Sequence, residues 1–179
     1  MGHMAAEKKP AIFILDASAI LSGKPLTLDI KRAVTTSGVS HEIQPGGRDY
    51  RTFLFLQEQG LSVHDPTKES IRKIHRAATE SGDIGRLSNA DIEVLALALD
   101  LNQDQQTIII TDDYSIQNVS YILGIRFEPM SQSGITKRFK WNWRCSGCGK
   151  IFTTHVSTCP ICGASTKQIV VKKESLERL

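Results

Sequence analysis

Apolar residues follow two alternating patterns along the first 130 positions of this chain. Residues 11–15 (AIFIL) and 107–110 (TIII) are continuous apolar runs rich in branched side chains, as expected for strands buried on both faces of a parallel sheet. Shorter runs at 33–36 (AVTT), 61–64 and 125–127 predict further strands. Between these runs the apolar positions recur at helical spacing. Phe53, Leu54 and Leu56 predict a helix over 48–60, and Ile71, Ile74, Ala77 and Ala78 predict another over 67–81, ended by Gly82. The strongest helical pattern covers 89–101, with Ser88 as its N-cap and Asp91 at its third position. A short helix follows, running to Leu123. Pro45-Gly46-Gly47 breaks the chain after a segment that carries His41 and Glu42. Strands alternating with helices predict an α/β domain of three layers, a central parallel sheet with helices on both faces.

Past residue 130 the pattern and the chemistry both change. All four cysteines of the 179-residue chain lie in its last 35 residues, as Cys145-x-x-Cys148 and Cys159-x-x-Cys162 with ten residues between the pairs. Each pair is followed by a glycine, Gly149 or Gly163, which lets the chain turn around the sulfurs, and two such pairs suit one tetrahedral Zn²⁺. Four thiolates leave no position for a catalytic water, so the expected zinc is structural and its binding is folding energy for a module with little core of its own. Disulfides do not suit a chain without an export signal, and a redox role does not explain two copies. His155 reads as a surface residue rather than a fifth ligand.

Charge divides in the same place. Residues 1–130 hold 13 Lys/Arg against 17 Asp/Glu, net −4, while residues 131–179 hold 9 against 2, net +7, giving the total of +3. The basic part opens with KRFKWNWR at 137–144, where Lys137, Arg138, Lys140 and Arg144 are interleaved with Phe139, Trp141 and Trp143. Cations of this kind track phosphates and aromatic rings stack on unpaired bases, so the stretch suits RNA. Trp141 and Trp143 equally suit packing of the ribbon or of its seam with the larger domain. The expected division is residues 1–10 as an expression remnant (MGHM) and flexible N-terminus, 11–130 as the larger domain, 131–143 as a linker with the basic and aromatic stretch, 144–173 as the zinc ribbon and 174–179 as a tail. No apolar run approaches the roughly 20 residues of a membrane helix, so no membrane partner and a cytoplasmic location are expected.

In open α/β sheets ligands bind beyond the carboxyl ends of the strands. Asp16 and Asp112/Asp113 directly follow the two most apolar runs, Asp91 lies in a helix's first turn, and Glu42 follows a short strand. Carboxylates gathered on one rim repel one another unless a cation neutralises them, and hard oxygen ligands suit Mg²⁺ or Mn²⁺. Such ions activate water and stabilise the leaving oxygen in phosphodiester hydrolysis, and the sequence has no evident Ser-His-Asp set or nucleophilic cysteine to do otherwise. Each acid also has a structural reading. Asp91 and Asp16 both sit where a carboxylate caps a helix, with Ser18 as an alternative capper after Asp16.

The segments Leu15-Asp16-Ala17-Ser18, Val39-Ser40-His41-Glu42-Ile43, Leu87-Ser88-Asn89-Ala90-Asp91 and Ile110-Thr111-Asp112-Asp113 together resemble the PIN-domain nucleases. With SNADIEVLALAL, TDDYSIQNV and the following ribbon, the chain is similar to the Nin-one-binding endonucleases of ribosome assembly, in a compact archaeal form. The resemblance implies that Asp16, Glu42, Asp91 and Asp113 are the acidic ligands of a catalytic Mn²⁺ or Mg²⁺, with Asp112 a neighbour of open role. It also implies metal-dependent cleavage of precursor small-subunit (16S-type) ribosomal RNA at its mature 3′ end, within pre-ribosomal particles and alongside assembly factors. Three rival readings stand beside it: a toxin-type PIN ribonuclease acting on transfer or messenger RNA, a non-catalytic RNA-binding assembly factor, and a zinc-ribbon DNA-binding factor, the last lacking any basic recognition helix.

Overall fold

The structure is a computed structural model that describes residues 10–22, 26–130 and 137–175, of which 137–139 and 172–175 are described by backbone alone. The larger domain runs β1 (Ile12–Leu15), α1 (Ala17–Leu21), a 3-10 turn (Ile30–Arg32), β2 (Ala33–Thr35), α2 (Ser37–Glu42), α3 (Gly47–Glu58), β3 (Ser62–Val63) and α4 (Lys68–Ser81). A second 3-10 turn (Ile84–Arg86), α5 (Asn89–Leu101), β4 (Thr107–Ile110), α6 (Tyr114–Ile122) and β5 (Arg126–Glu128) complete it. The five strands form a parallel sheet in the order β3-β2-β1-β4-β5.

The two apolar runs lie side by side at the centre of that sheet. Ile12 pairs with Thr107, Phe13 with Ile108, Ile14 with Ile109 and Leu15 with Ile110, so both strands end at the same level. Ile14, Leu15 and Ile109 are completely buried, and Ile74, Val39, Leu95 and Ile116 from helices α4, α2, α5 and α6 join them in one core. Helix α5 is buried at Ala90, Ile92 and every residue from Val94 to Ala98, the all-round burial of a helix inside the core. Ser88 is its N-cap as expected and forms a capping box with Asp91, and Thr67, read as the first helical residue, is instead the N-cap of α4, its side chain accepting from Ser70 N. At the other end of α5, Asp100 accepts from Thr67 N at 2.7 Å and Ser70 Oγ at 2.6 Å, which ties the end of one helix to the start of the other.

One segment without a predicted element takes shape, and one expectation is corrected. Residues 37–42 form a helix, α2, whose six residues are too few to show a helical period and which is held by Thr36 Oγ1, accepting from Val39 N. The basic and aromatic stretch assigned to a linker is strand β6 (Lys137–Cys145), which pairs antiparallel with β7 (Ile151–Phe152) and with β8 (Thr166–Ser175) in a three-stranded sheet. The ribbon's sheet therefore begins at Lys137 and runs past the expected boundary at 173, with a register shift between Lys140 and Trp141. The remainder of the expected linker, 131–136, lies outside the described residues, as do 1–9 and 176–179.

The ribbon rests against the end of α4. Gln168 Nε2 donates to the Gly82 carbonyl at 2.7 Å, and the Arg86 guanidinium lies 4.6 Å from the Trp141 ring centre. Between them sits Asp83, fully buried, accepting from Ser81 Oγ at 2.7 Å and Asn118 Nδ2 at 2.6 Å. Burial raises its carboxyl pKa, against the hydrogen bonds of Ser81 and Asn118, the charge of Arg86 and a hydrogen bond from Trp141.

Because Ile109 is fully buried at the centre of the sheet, Ile109→Ala is expected to cost about 2–5 kcal/mol of stability. Urea unfolding checks this, with a lowered midpoint and an unchanged slope.

Candidate active site

From β1 the sheet grows outward through β2 and β3 on one side and through β4 and β5 on the other. The connections therefore leave a crevice beyond the carboxyl ends of β1 and β4, the topological switch point of an open sheet. Equal strand ends place Asp16 and Thr111 together there, with Asp16 N donating to the Ile110 carbonyl at 3.2 Å.

Asp16 is 3% exposed and fixed from several sides. Its Oδ1 accepts from Ala17 N at 2.6 Å, and its Oδ2 accepts from the hydroxyls of Ser18 and Thr111, both at 2.8 Å. The same two hydroxyls reach the next strand's end, since Thr111 Oγ1 accepts from Asp113 N at 2.9 Å and Ser18 Oγ from Asp112 N at 3.1 Å. Asp16 is thus the N-cap of α1, and Ser18, weighed as that capper, instead orients Asp16 and the exposed Asp112. Asp113 caps α6 through one oxygen, Oδ1, which accepts from Ser115 N at 2.7 Å and Ile116 N at 3.0 Å.

Asp91 enters from a different part of the chain. Helix α5 precedes β4, so it starts at the rim where the strands end, and its third residue joins the crevice there. Its Oδ2 accepts from Ser88 N at 2.7 Å. Burial lifts its carboxyl pKa to about 6, opposed by the Ser88 hydrogen bonds and reinforced by the negative charges of Asp16 and Asp113. That mutual repulsion marks the three acids as one electrostatic group.

Among the described residues no Lys, Arg or His forms an ion pair with Asp16, Asp91 or Asp113, the one salt bridge being Glu69–Lys73 on α4. Uncompensated carboxylates in a half-buried crevice match the oxygen donors and charge that a hard divalent cation takes. Glu42 is the exposed last residue of α2, the helix that follows β2 and packs against α5, with no hydrogen bond to the other three among the described residues.

The cysteines are gathered more tightly than the acids. Cys145, Cys148, Cys159 and Cys162 hold their Sγ atoms within 4.8 Å of one another, the one such set of His, Cys, Asp or Glu among the described residues. None is in a disulfide. Each pair turns through its following glycine, Gly149 and Gly163, both at φ +74° where a side chain would be strained. Gly147 N and Cys148 N point at Cys145 Sγ from 3.3 and 3.4 Å, the backbone donors expected around a thiolate. His155 is exposed and set edge-on to Trp143 at 4.3 Å, outside the cluster.

Of the basic and aromatic set, Lys140 and Arg144 are exposed, and the side chains of Lys137 and Arg138 lie outside the described residues. Trp141 and Trp143 are half-buried and turned toward the seam, Trp141 against Gly82 and Arg86, Trp143 against Gly85. Sequence reading missed the orienting role of Ser18, the seam carboxylate Asp83 and Glu93, whose Oε2 accepts from Gly38 N at 2.7 Å.

The model for the PIN domain of ribonuclease matches residues 13–101. Endoribonuclease Nob1 of Archaeoglobus fulgidus is 36% identical over 154 residues, 86% of this chain and 87% of that protein. Endoribonuclease Nob1 of Methanothermobacter thermautotrophicus is 37% identical over 157 residues, 84% and 88% of the two chains. Ribonuclease VapC1 of Thermoplasma acidophilum is 36% identical over 167 residues, 93% of this chain and 82% of that one, so likeness to a VapC-named protein also extends into the ribbon. With the fold, the acidic crevice and the four-cysteine cluster, identity sustained over almost the whole length of two Nob1 endoribonucleases means that this chain belongs to the Nob1 family of PIN-domain endoribonucleases.

Proposed function

We propose that Asp16, Asp91 and Asp113, with Glu42 as the fourth acid, hold Mn²⁺ or Mg²⁺ for hydrolysis of an RNA phosphodiester. The observation that carries this reading is the electrostatic grouping of Asp91 with Asp16 and Asp113 at the ends of β1 and β4. Divalent cations bound there supply water activation and neutralisation of the leaving oxygen. The protein's own contribution is geometry: Ser18 and Thr111 fix the Asp16 carboxylate, and the α1, α5 and α6 helix starts fix all three acids. Acids that surround the crevice also repel RNA phosphates until a cation is bound, which makes placement of the scissile phosphate depend on the metal while overall affinity rests on the ribbon.

The substrate in this reading is precursor small-subunit ribosomal RNA, cut at its mature 3′ end. The exposed Lys140 and Arg144, with Lys137 and Arg138, supply salt-sensitive affinity, and Trp141 and Trp143 serve the seam first. The four cysteines hold one structural Zn²⁺, and thiols kept for metal suit the reducing cytoplasm. No helix among the described residues is long and apolar enough to cross a membrane. A second reading, a toxin-type ribonuclease acting on transfer RNA, is favoured by the VapC-named relative that shares the ribbon region.

The deciding assay compares RNA spanning the precursor's mature 3′ end with transfer RNA, under Mn²⁺, Mg²⁺ or neither. Asp16→Asn is expected to lower cleavage by about 100-fold or more, since several kcal/mol of metal-supplied stabilisation is lost, while RNA binding measured by gel shift stays close to wild type. Normal cutting by this variant would refute the site, and a metal-dependent cut of transfer RNA alone would select the second reading.

Asp91 predicts two pH effects. Its carboxyl pKa of about 6 lies above that of an unfolded aspartate, so the folded protein without added divalent metal holds more protons and loses stability as pH rises from about 4 to about 6. Asp91→Asn, which keeps an oxygen for Ser88 N, is therefore expected to raise the thermal midpoint at pH 7.5 and to lose that advantage near pH 4, while abolishing cleavage. Wild-type cleavage should climb with pH to a plateau, with a midpoint that falls below about 6 as the Mn²⁺ concentration is raised, because the cation favours the charged carboxylate.

Removing zinc is expected to unfold the ribbon and spare the larger domain, because metal binding is the folding energy of such a module. Tryptophan fluorescence should shift on chelation, Trp141 and Trp143 being the two tryptophans of the chain, while helical circular dichroism changes little.

A further inference from the structure

Among the carboxylates outside the crevice, Glu93 is the one that joins two of the helices carrying the acids. Its Oε2 accepts from Gly38 N in the first turn of α2 at 2.7 Å. That oxygen satisfies one of the backbone N–H groups that the first turn of a helix leaves without an internal partner. Helix α2 needs such help, since six residues give few internal hydrogen bonds. The approach is also close: a Cβ on residue 38 would lie 2.5 Å from Glu93 Oε2 and 3.0 Å from Ala90 Cα. Glycine at 38 thus lets α2 touch α5 within one residue of Asp91. Glu42 follows Gly38 by four positions, one helical turn further along the same face.

We infer that Glu93 is a positioning residue for the nuclease reaction, pinning α2 to α5 through Gly38 N and so setting Glu42 relative to Asp91. This rests on the reading of Glu42 as one of the metal-holding acids. The hydrogen bond Glu93 makes is to the backbone of α2, so the role assigned to it is exerted through α2. The role needs an oxygen at that place and not a negative charge, which separates positioning from coordination.

The test measures Mn²⁺ binding by calorimetry on the zinc-loaded full chain without RNA, alongside the Mn²⁺ concentration that gives half-maximal cleavage. Glu93→Ala is expected to weaken Mn²⁺ binding by about 10-fold or more, the usual cost of losing a group that orients a metal ligand. Glu93→Gln, whose amide oxygen still accepts from Gly38 N, should bind Mn²⁺ close to wild type. Gly38→Ala supplies a second route, since its Cβ would press on both Glu93 Oε2 and Ala90 Cα and so separate α2 from α5. It should weaken Mn²⁺ binding, and an affinity equal to wild type would count against the α2–α5 contact as the positioning device. Glu42→Ala is measured beside them. If Glu42→Ala weakens Mn²⁺ binding and Glu93→Ala does not, the inference falls and the reading of Glu42 stands. A Glu93→Gln protein as impaired as Glu93→Ala makes the charge itself essential and overturns a positioning role. Unaltered Mn²⁺ binding by Glu42→Ala takes the reading of Glu42 and this inference down together.

Discussion

A carboxylate almost wholly out of water with no cation beside it is the constraint on which the larger domain's architecture turns. Burying a charge is costly unless it is hydrogen-bonded or paired, and Asp16 is 3% exposed without an ion pair among the described residues. The fold answers with donors rather than countercharge. Two backbone N–H groups at the start of α1 and the hydroxyls of Ser18 and Thr111 converge on it. This requires β1 and β4 to be adjacent, parallel and equal in register, because Thr111 reaches Asp16 only if both strands end together. The sheet's centre and the site's geometry are therefore one requirement.

That solution leaves the negative charge in place. Hydrogen bonds orient Asp16 but do not cancel its charge, and Asp91 is raised to about 6 partly by the charges of Asp16 and Asp113. A protein that tolerates such repulsion gives up stability in exchange for a place a divalent cation can enter. The cysteine cluster solves the opposite problem. Four sulfurs within 4.8 Å of one another suit a single ion with no open position, the donor set of a structural rather than a catalytic site. The charge division of −4 and +7 along the sequence accords with the proposed function, with acids on the side assigned to divalent cations and cations on the side assigned to RNA phosphates.

Much of this was legible in the residues because the signals were local. Continuous apolar runs found β1 and β4, a cap and an apolar period found α5, and paired CxxC motifs found the thiol cluster. What escaped depends on residues far apart. Helix α2 has no period of its own and is capped in part by Glu93, 55 positions away. The KRFKWNWR stretch reads equally well as an RNA-binding linker and as a strand, and its strand state depends on pairing with β8. Asp83 gives no sequence signal, since its burial exists only where the end of α4, α6 and the ribbon meet.

The acids at helix starts show why a structural reading and a functional one need not compete. A capping carboxylate has two oxygens, and at Asp91 and Asp113 the backbone bonds use one, whereas Asp16 uses both. Asp91 turns Oδ2 to Ser88 N, and Asp113 turns Oδ1 to Ser115 N and Ile116 N. The second oxygen of Asp113 accepts no hydrogen bond among the described residues, which leaves it open to the proposed cation. Capping also fixes the rotamer, so the free oxygen keeps its direction without further support. The positive ends of three helix dipoles meet in the same crevice and offset part of the repulsion between their caps. Placing metal-binding acids at the N-termini of helices that begin or end at the carboxyl rim of a parallel sheet therefore makes orientation and partial charge compensation properties of the backbone, which explains how so short a domain assembles the group from distant parts of its sequence.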